Sequence, residues 1–238
     1  MKNKIVAIGS IAIDELQTIK GSKLDLVGGS ATFFSVAASK YNDVMLIGVV
    51  GDDFPQKGWD LFESNGIATD FISVEEGKTF RWGGKYSDDY SARETLYTHL
   101  GVFENFTPKV EKSISTDYLY LGNIQPSLQL DAIKKVDNKK RIVSDTMNLW
   151  INTTKNDLDK LLRNINVLLI NESEAQLLTG QKTISDSAKV MNQMVNKQVE
   201  DRMQKHIGAE RKRVKDSQIR TKMAAAEQDF KERHKMTD

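Results

Sequence analysis

Three groups of residues in this chain have types and spacings that suit the binding of a polar ligand. The first is Asp14, a carboxylate that follows an apolar run, and the second is the pair Gly28-Gly29 ahead of a helix-like segment. The third consists of polar residues that end later apolar runs, namely Asp145, Asn171 and Glu174. Carboxylates accept hydrogen bonds from hydroxyl groups or bind Mg²⁺, and the exposed amides at a helix N-terminus bind oxygen atoms.

Each group also has a purely structural interpretation. Asp14 fits a turn at the end of a strand, and Gly28-Gly29 fits a turn with close helix–strand packing. Asn171 and Glu174 have the spacing of a capping box, in which each side chain bonds the backbone N–H of the other. The residues alone leave both interpretations open. The chain has no G-x-G-x-x-G sequence and no Walker loop.

Apolar runs alternate with helix-like segments along most of the chain. The runs predict strands buried on both faces at Lys4–Gly9, Val44–Val50, Tyr118–Leu121, Arg141–Asp145 and Val167–Ile170. The predicted helices are Ala31–Tyr41, Gln56–Asn65, Leu128–Val136, Lys155–Asn164 and Glu172–Thr179. This alternation predicts an α/β fold, a Rossmann-like and mostly parallel sheet with helices on both faces. Ligands of such sheets bind at the carboxyl ends of the strands, where Asp14 and Asp145 are expected.

The segment from residue 71 to residue 100 interrupts this alternation. Thr79–Tyr86 and Arg93–Leu100 each alternate apolar with polar residues, and a polar stretch separates them. They predict an inserted two-stranded ribbon. An isolated ribbon is marginally stable in water, so it must cover the domain, a ligand or a second subunit.

The composition changes near residue 196. Residues 196–238 contain 12 Lys and Arg, 8 Asp and Glu, and no Leu, Trp, Tyr or Pro. This pattern predicts a charged helical or partly disordered tail that follows an α/β domain of residues 1–195.

The overall composition limits the function. The net charge is +1, and the tail mixes acidic with basic residues, which does not favour nucleic-acid binding. Cysteine is absent, which excludes thiol catalysis and Cys–zinc sites and agrees with a cytoplasmic location. Lys2 and Lys4 precede the apolar run Ile5–Ile13 as in a secretion signal, but no cleavage pattern follows, so the run predicts a strand. No stretch is long and apolar enough to span a membrane.

Taken together, these motifs resemble the ribokinase-like (PfkB) family of sugar kinases, over about residues 4–194. The resemblance rests on the strand with Asp14, Gly28-Gly29, "LIGVVGDDF", the inserted ribbon, "LGNIQP", "SDTMN" and Asn171-x-x-Glu174. It implies ATP-dependent phosphoryl transfer to a sugar hydroxyl, with Mg²⁺ and ATP as cofactors. It also implies that the ribbon is a lid, which closes over the sugar and pairs subunits into a homodimer.

The resemblance assigns roles to the candidate residues. It implies that Asp14 and Gly28-Gly29 contact the hydroxyls of a sugar or a related polyol. It places Asn171 and Glu174 near Mg²⁺ and the nucleotide phosphates, with Glu174 on the metal. Asp145, at the end of a buried strand, is assigned to the same phosphate and metal region.

Three features depart from the family pattern. Phe33 stands where many members have Asn, which indicates a different or less polar substrate. Asn148 comes one residue late in the Asp-x-Asn-x-Arg pattern, and no Arg follows nearby. The Gly-Ala-Gly-Asp segment that carries the family's catalytic Asp is absent, and Gly208-Ala209-Glu210 in the tail is a coincidental match. The chain therefore resembles the first part of such a kinase, joined to an unrelated helical end.

Two functions of different classes follow from the sequence. The first is a sugar kinase that is inactive or impaired in this chain, because no catalytic residue can be assigned. The second is a non-catalytic module that binds a sugar or a partner and carries a helical interaction tail.

Overall fold

The computed structural model describes residues 3–90, 92–110, 114–194 and 212–213. Ten strands are named in chain order: β1 (Lys4–Ile8), β2 (Ala12–Thr18), β3 (Gly21–Gly28), β4 (Asp43–Gly51), β5 (Ala68–Glu75), β6 (Arg81–Tyr86), β7 (Arg93–His99), β8 (Tyr118–Leu121), β9 (Arg141–Asp145) and β10 (Val167–Leu169). The helices are α1 (Ser30–Ala38), α2 (Gln56–Ser64), α3 (Pro126–Lys135), α4 (Asn148–Thr153), α5 (Lys155–Leu162), α6 (Glu172–Thr179) and α7 (184–194), with a 3₁₀ helix at Gly101–Asn105. None of the helices in these ranges is long and apolar enough to cross a membrane.

Six strands form the main sheet, in the order β10-β9-β8-β1-β4-β5, and every pairing is parallel. The predicted α/β fold with a mostly parallel sheet is confirmed. β1 lies inside the sheet between β4 and β8, and its residues from Ile5 to Ile8 are at most 7% exposed. A strand buried on both faces must be apolar on both faces, which is why its sequence is a continuous apolar run.

Helices pack on this sheet and complete the core. α2 places Phe62, which is fully buried, next to Phe54 and Trp59. The aromatic rings meet residues of β1 and β4 in one apolar cluster. Burying an aromatic side chain of this size stabilises the fold by roughly 1.5–3 kcal/mol.

The second sheet has four strands, in the order β3-β2-β6-β7. The predicted ribbon is present as β6 and β7, which pair antiparallel. The other two strands of this sheet, β2 and β3, were not predicted. β2 begins within the first apolar run, Ile5–Ile13, and β3 is exposed from Gly21 to Asp25 and lacks a sustained alternation. We call this sheet the lid. β2 pairs antiparallel with β3 and parallel with β6, so the lid is a mixed sheet.

The structure corrects three details of the sequence interpretation. Ala68–Glu75 is a strand of the main sheet, although the range 71–100 was assigned to the ribbon insertion. Asn148–Thr153 is a short helix that was not predicted. The segment at Val167 is not buried on both faces, because β10 is an edge strand and Val167 and Leu169 are each 45% exposed.

A polar network joins the lid to the carboxyl end of β4. The Gly51 N–H donates to the buried hydroxyl of Thr79 at 3.0 Å, and the Thr79 N–H donates to Asp53 Oδ1 at 2.7 Å. Arg81 of β6 pairs with Asp53 at 3.6 Å and with Asp25 of β3 at 2.9 Å. These contacts fix the lid strands to the edge of the main sheet where ligands are expected.

Residues up to Leu178 belong to one compact unit, which contains both sheets, and the residues from Thr179 onward belong to a second. In the second unit, Thr183 accepts a hydrogen bond from the N–H of Asp186 at 3.1 Å and so caps α7. The predicted charged tail, 196–238, lies outside the described residues except for 212–213, which are helical.

Candidate functional site

The carboxyl ends of β1 and β8 meet the first residues of α1. The N–H of Ser30 donates to Ser10 Oγ at 3.0 Å, and the N–H of Ala31 donates to Ser10 O at 3.1 Å. Gly9 and Gly122 lie against Ser30 so closely that a Cβ on either would stand within 3.0 Å of its hydroxyl. The N-terminus of α1 is therefore held directly at the strand ends.

Asp14 lies within β2 of the lid, and not in a turn after β1. Its ladder neighbours are Leu26 of β3 and Trp82 of β6. The side chain is 9% exposed and touches Gly28, where any Cβ would collide with its carboxylate. The N–H of Gly29 also donates a hydrogen bond to this carboxylate. The structure therefore brings Asp14 and the glycine pair together, at the junction between the lid and the main sheet.

Gly29 is the N-cap of α1, and the backbone conformation at this position requires glycine. Its φ of 97° lies in the region that L-residues rarely adopt. A Cβ at this position would also lie 2.8 Å from the carbonyl carbon of Ser10. The local sequence thus explains why the chain can turn sharply from β3 into α1.

Burial raises the pKa of Asp14 from 3.8 to about 6. The hydrogen bond from Gly29 and the positive charge of Arg93 act in the opposite direction. The carboxylate is therefore ionised at neutral pH and poorly solvated. An anion of this kind gains free energy when ligand hydroxyls donate to it, because they replace the water that folding removed.

Asp145 ends β9 and is the centre of a second group. The Tyr120 hydroxyl donates to Asp145 Oδ2 at 3.0 Å, and the Tyr120 ring stacks on Phe34 of α1 at 3.6 Å. Asp145 Oδ1 and the neighbouring Thr146 Oγ1 are buried and have no hydrogen-bond partner within the described ranges. Unpaired buried polar atoms are rare, so these two indicate a place for a ligand group.

Burial raises the pKa of Asp145 from 3.8 to about 7. The Tyr120 hydroxyl lowers it, and the negative charge of Glu174 raises it. The charge of Glu174 thus acts on the Asp145 carboxyl. A divalent cation near both carboxylates would remove this repulsion and favour their ionised forms.

Asn171 and Glu174 form the predicted capping box. Asn171 Oδ1 accepts from the N–H of Glu174 at 2.9 Å, and Glu174 Oε2 accepts from the N–H of Asn171 at 3.1 Å. The structural interpretation of this pair is confirmed. It does not exclude a ligand, because Asn171 is exposed, Glu174 is partly exposed and a carboxylate has more than one acceptor site.

Several residues of this region were not found from the sequence. The buried Gln129 of α3 donates to the carbonyls of Gly122 and Asp145, at 2.8 and 3.2 Å, and ties the ends of β8 and β9 together. Ser10, Tyr120 and Thr146 were also missed. Ser10 and Thr146 gave a signal in the sequence, because each directly follows a predicted strand, Lys4–Gly9 or Arg141–Asp145. Tyr120, inside a predicted strand, gave none.

The residues of the Asp145 group fit a magnesium ion. Within the described ranges, no three Asp, Glu or His side chains form a ready metal cluster. Mg²⁺ does not need one, since it typically uses one or two carboxylates together with water and substrate phosphates. Asp145 and Glu174 offer two such carboxylates, one with an unpaired buried oxygen.

The fold and these two groups define a class of protein. An open parallel sheet with polar groups at its carboxyl edge, and a separate sheet over that edge, is typical of an α/β protein that binds a small ligand. Residues 3–205 match the pfkB family carbohydrate kinase, and the chain belongs to this family.

Similar proteins include kinases for sugars and for nucleosides. The cytidine kinase of Thermococcus kodakarensis is 24% identical over 193 residues, which are 79% of this chain and 68% of the relative. The ribokinase of Cryptococcus neoformans var. grubii, solved with ADP, is 20% identical with a TM-score of 0.63, over 76% of this chain. The Methanocaldococcus jannaschii nucleoside kinase is 19% identical with a TM-score of 0.61, over 78% of this chain and 67% of that one.

The chain spans 62% of the length of the Cryptococcus ribokinase, less than two thirds. At these identities the solved structures establish the fold. The predicted membership of the ribokinase-like family is confirmed by the family match.

Proposed function

We propose that this chain contains the substrate side of an ATP-dependent kinase and binds a ligand with vicinal hydroxyls, a sugar or a nucleoside, at Asp14, Gly28 and Gly29. The observation that carries the proposal is the Asp14 carboxylate, buried at the junction of lid and sheet and in contact with the glycine pair. The similar cytidine kinase, ribokinase and nucleoside kinase support this choice of ligand.

Asp14 binds and orients the ligand in this proposal. An ionised carboxylate accepts hydrogen bonds from two neighbouring hydroxyls, and the Gly29 N–H keeps it in place. The glycine pair lets the ligand approach the backbone at the start of α1, because no side chain stands in the way. Hydrogen bonds to a charged partner contribute about 1.5–3 kcal/mol each, enough to select a polyhydroxylated ring.

The phosphate side of the proposed site consists of Asp145, Asn171 and Glu174. We propose that Asp145 and Glu174 hold Mg²⁺, which when bound neutralises charge on the phosphates of ATP. The unpaired Asp145 Oδ1 and Thr146 Oγ1 support this assignment. The Tyr120 hydroxyl occupies Asp145 Oδ2 and leaves Oδ1 available for the ligand.

We propose further that these 238 residues alone bind the ligand with little turnover. The chain has no Gly-Ala-Gly-Asp segment, so no residue can be assigned to take the proton from the substrate hydroxyl. Loss of a general base commonly costs about 10²–10⁴-fold in rate. This second candidate, binding without efficient catalysis, rests on that one sequence observation.

Calorimetry on matched variants tests the binding site. Asp14→Asn should weaken the binding of ribose or cytidine by about 10- to 100-fold, because an amide accepts from hydroxyls less strongly than a carboxylate does. Glu15→Gln is the control. Glu15 is the next residue of β2 and lies on the other lid face, where it accepts from the Tyr97 hydroxyl at 3.0 Å. Equal losses of affinity in both variants, or no loss in Asp14→Asn, would show that Asp14 is not part of the binding site.

A further inference from the structure

We propose that the substrate is a nucleoside, and that its base is bound between Phe33 of α1 and a platform formed by Trp82 and Arg93 of the lid. The proposal deepens the proposed function and rests on it, because the ribose ring is assigned to Asp14. Three separate observations carry it: an indole on the same lid face as Asp14, a guanidinium held near that indole, and an exposed Phe at the start of α1.

Trp82 lies on the same face of the lid as Asp14. The two residues are partners in the parallel ladder of β2 and β6, and directly paired residues point to the same side of a sheet. Gly84, two residues further along β6, has no side chain, and the Trp82 ring occupies the space that a side chain there would need. A Cβ at Gly84 would be only 2.6 Å from Trp82 Cζ2. The indole is therefore held against the sheet, on the lid face that also carries Asp14.

The sheet has a second aromatic–glycine pair on its opposite face. The Tyr97 ring covers Gly83 in the same manner, and its hydroxyl donates to Glu15. Tyr97 therefore has the same kind of support as Trp82 but faces away from Asp14. It provides an internal comparison for the role of Trp82.

Arg93 extends the Trp82 platform. Its guanidinium carbon lies 5.0 Å from the centroid of the Trp82 ring, and Trp82 Nε1 donates to Thr95 Oγ1 at 3.3 Å. The positive charge of Arg93 also acts on the Asp14 carboxylate, so the two groups share one neighbourhood. A guanidinium that stacks on an indole keeps its N–H donors free in its own plane. It suits a planar group with carbonyl or ring-nitrogen acceptors.

Phe33 supplies an apolar surface from the main domain. It lies in the first turn of α1, its N–H donates to the carbonyl of Gly29 at 3.1 Å, and its side chain is 62% exposed. Gly29 in turn donates to Asp14. An exposed large aromatic residue one turn from the proposed hydroxyl site is unfavourable for a free sugar, whose surface is polar all round. It is favourable for a ligand that has an aromatic ring attached to a sugar.

A nucleoside has this combination of parts. Its ribose offers vicinal hydroxyls to Asp14, and its base offers a flat aromatic face with acceptors on its edge. Stacking of a base on one aromatic side chain is commonly worth a factor of about 5 to 150 in affinity. We therefore expect cytidine to bind at least about 10-fold more tightly than D-ribose.

Binding of cytidine, adenosine and D-ribose by calorimetry tests the proposal. In Trp82→Leu and in Phe33→Asn, cytidine should lose about 10-fold in affinity, while the affinity for ribose should change less than about twofold. Tyr97→Leu and Tyr41→Asn are the matched controls, on the opposite lid face and at an exposed site after α1. Phe33 and Tyr41 are both largely exposed, so these replacements keep the fold even where Trp82→Leu does not.

The outcomes separate this proposal from the one on which it rests. Equal affinities for ribose and cytidine, or equal losses of both ligands in Trp82→Leu and Phe33→Asn, overturn the platform and leave the Asp14 site standing. Binding that is unaffected by Asp14→Asn, or no binding of any of the three ligands, overturns the proposed function and the platform with it. A selective loss of the nucleosides supports both.

Discussion

Replacing Asp145 with Asn tests whether its buried carboxyl has the environment that the structure gives it. The pKa of Asp145 rises to about 7, mainly because the group is buried. In the unfolded chain the group has its ordinary pKa of 3.8. Between these values the folded state binds a proton that the unfolded state has released, so stability falls as the pH rises.

The size of this effect follows from the two pKa values. One pKa unit corresponds to about 1.4 kcal/mol, so ionisation of Asp145 costs the folded state about 4 kcal/mol above pH 7. The cost is absent below pH 3.8, where the carboxyl is protonated in both states. Asparagine cannot ionise and carries no such cost. Its amide can still accept from Tyr120, but its N–H₂ takes the place of the unpaired Oδ1, and an unsatisfied buried donor costs about 1–3 kcal/mol at every pH.

The stability difference between Asp145→Asn and the wild type should therefore change by about 4 kcal/mol from pH 4 to pH 8, in favour of the variant at pH 8. The pH-independent packing cost cancels in this comparison. Urea unfolding followed by tryptophan fluorescence measures the stability difference, since all three tryptophans lie within the unit that ends at Leu178. Asp88→Asn, at an exposed site of the loop after β6, is the control and should show no such change.

Magnesium adds a second readout. At pH 8, 10 mM Mg²⁺ should stabilise the wild type by about 1.4 kcal/mol if it binds with a dissociation constant near 1 mM. It should not stabilise Asp145→Asn, which lacks the charge that the ion would neutralise. A stability difference that stays constant from pH 4 to pH 8 would refute the buried carboxyl, and equal effects of Mg²⁺ on both proteins would refute the metal site.

Further predictions concern ligand binding, the helix start, assembly and turnover. Affinity for ribose or cytidine should fall as the pH drops through about 6, because the protonated Asp14 carboxyl accepts hydrogen bonds poorly. Calorimetry from pH 5 to pH 8 measures the affinity, and an affinity that does not change with pH contradicts the prediction. In urea unfolding, Gly29→Ala should destabilise the fold by about 2 kcal/mol or more. Gly66→Ala is the control and should cost about 1 kcal/mol, because Gly66 has a φ of 63° but open space around it. We also propose that the lid pairs two copies of the chain. Sedimentation should show a dimer, and Leu24→Asp, at a lid site that is 63% exposed, should convert it to a monomer. A wild-type protein that is monomeric at every concentration would exclude this proposal. Coupled ADP release with ATP, Mg²⁺ and a panel of sugars and nucleosides should show little turnover, and substrate-dependent turnover near one per second would require a base that we have not identified.

The sequence by itself determined five of the six strands of the main sheet and five of the described helices, but not β5 or α4. β8, β9 and α6 have the bounds that their apolar runs and helical patterns predict, and the start of α2 does as well. These elements are strongly encoded because a strand buried on both faces must be continuously apolar, and a helix at a sheet shows its period in a short stretch of residues. The capping box at Asn171 and Glu174 was equally readable, since both of its bonds are local.

Only the tertiary structure decided where the candidate site residues lie. Asp14 follows the first apolar run, yet it belongs to a lid strand, because β2 obtains its stability from pairing with β3 and with β6, more than 60 residues away. The raised pKa of Asp145 has the same kind of cause. It comes mainly from burial and also from the charge of Glu174, which is distant from Asp145 in the chain. Strand register places Trp82 on the same lid face as Asp14, and a one-residue slip would move it to the opposite face. Long-range pairing sets register and burial, so neither could be predicted from the local sequence.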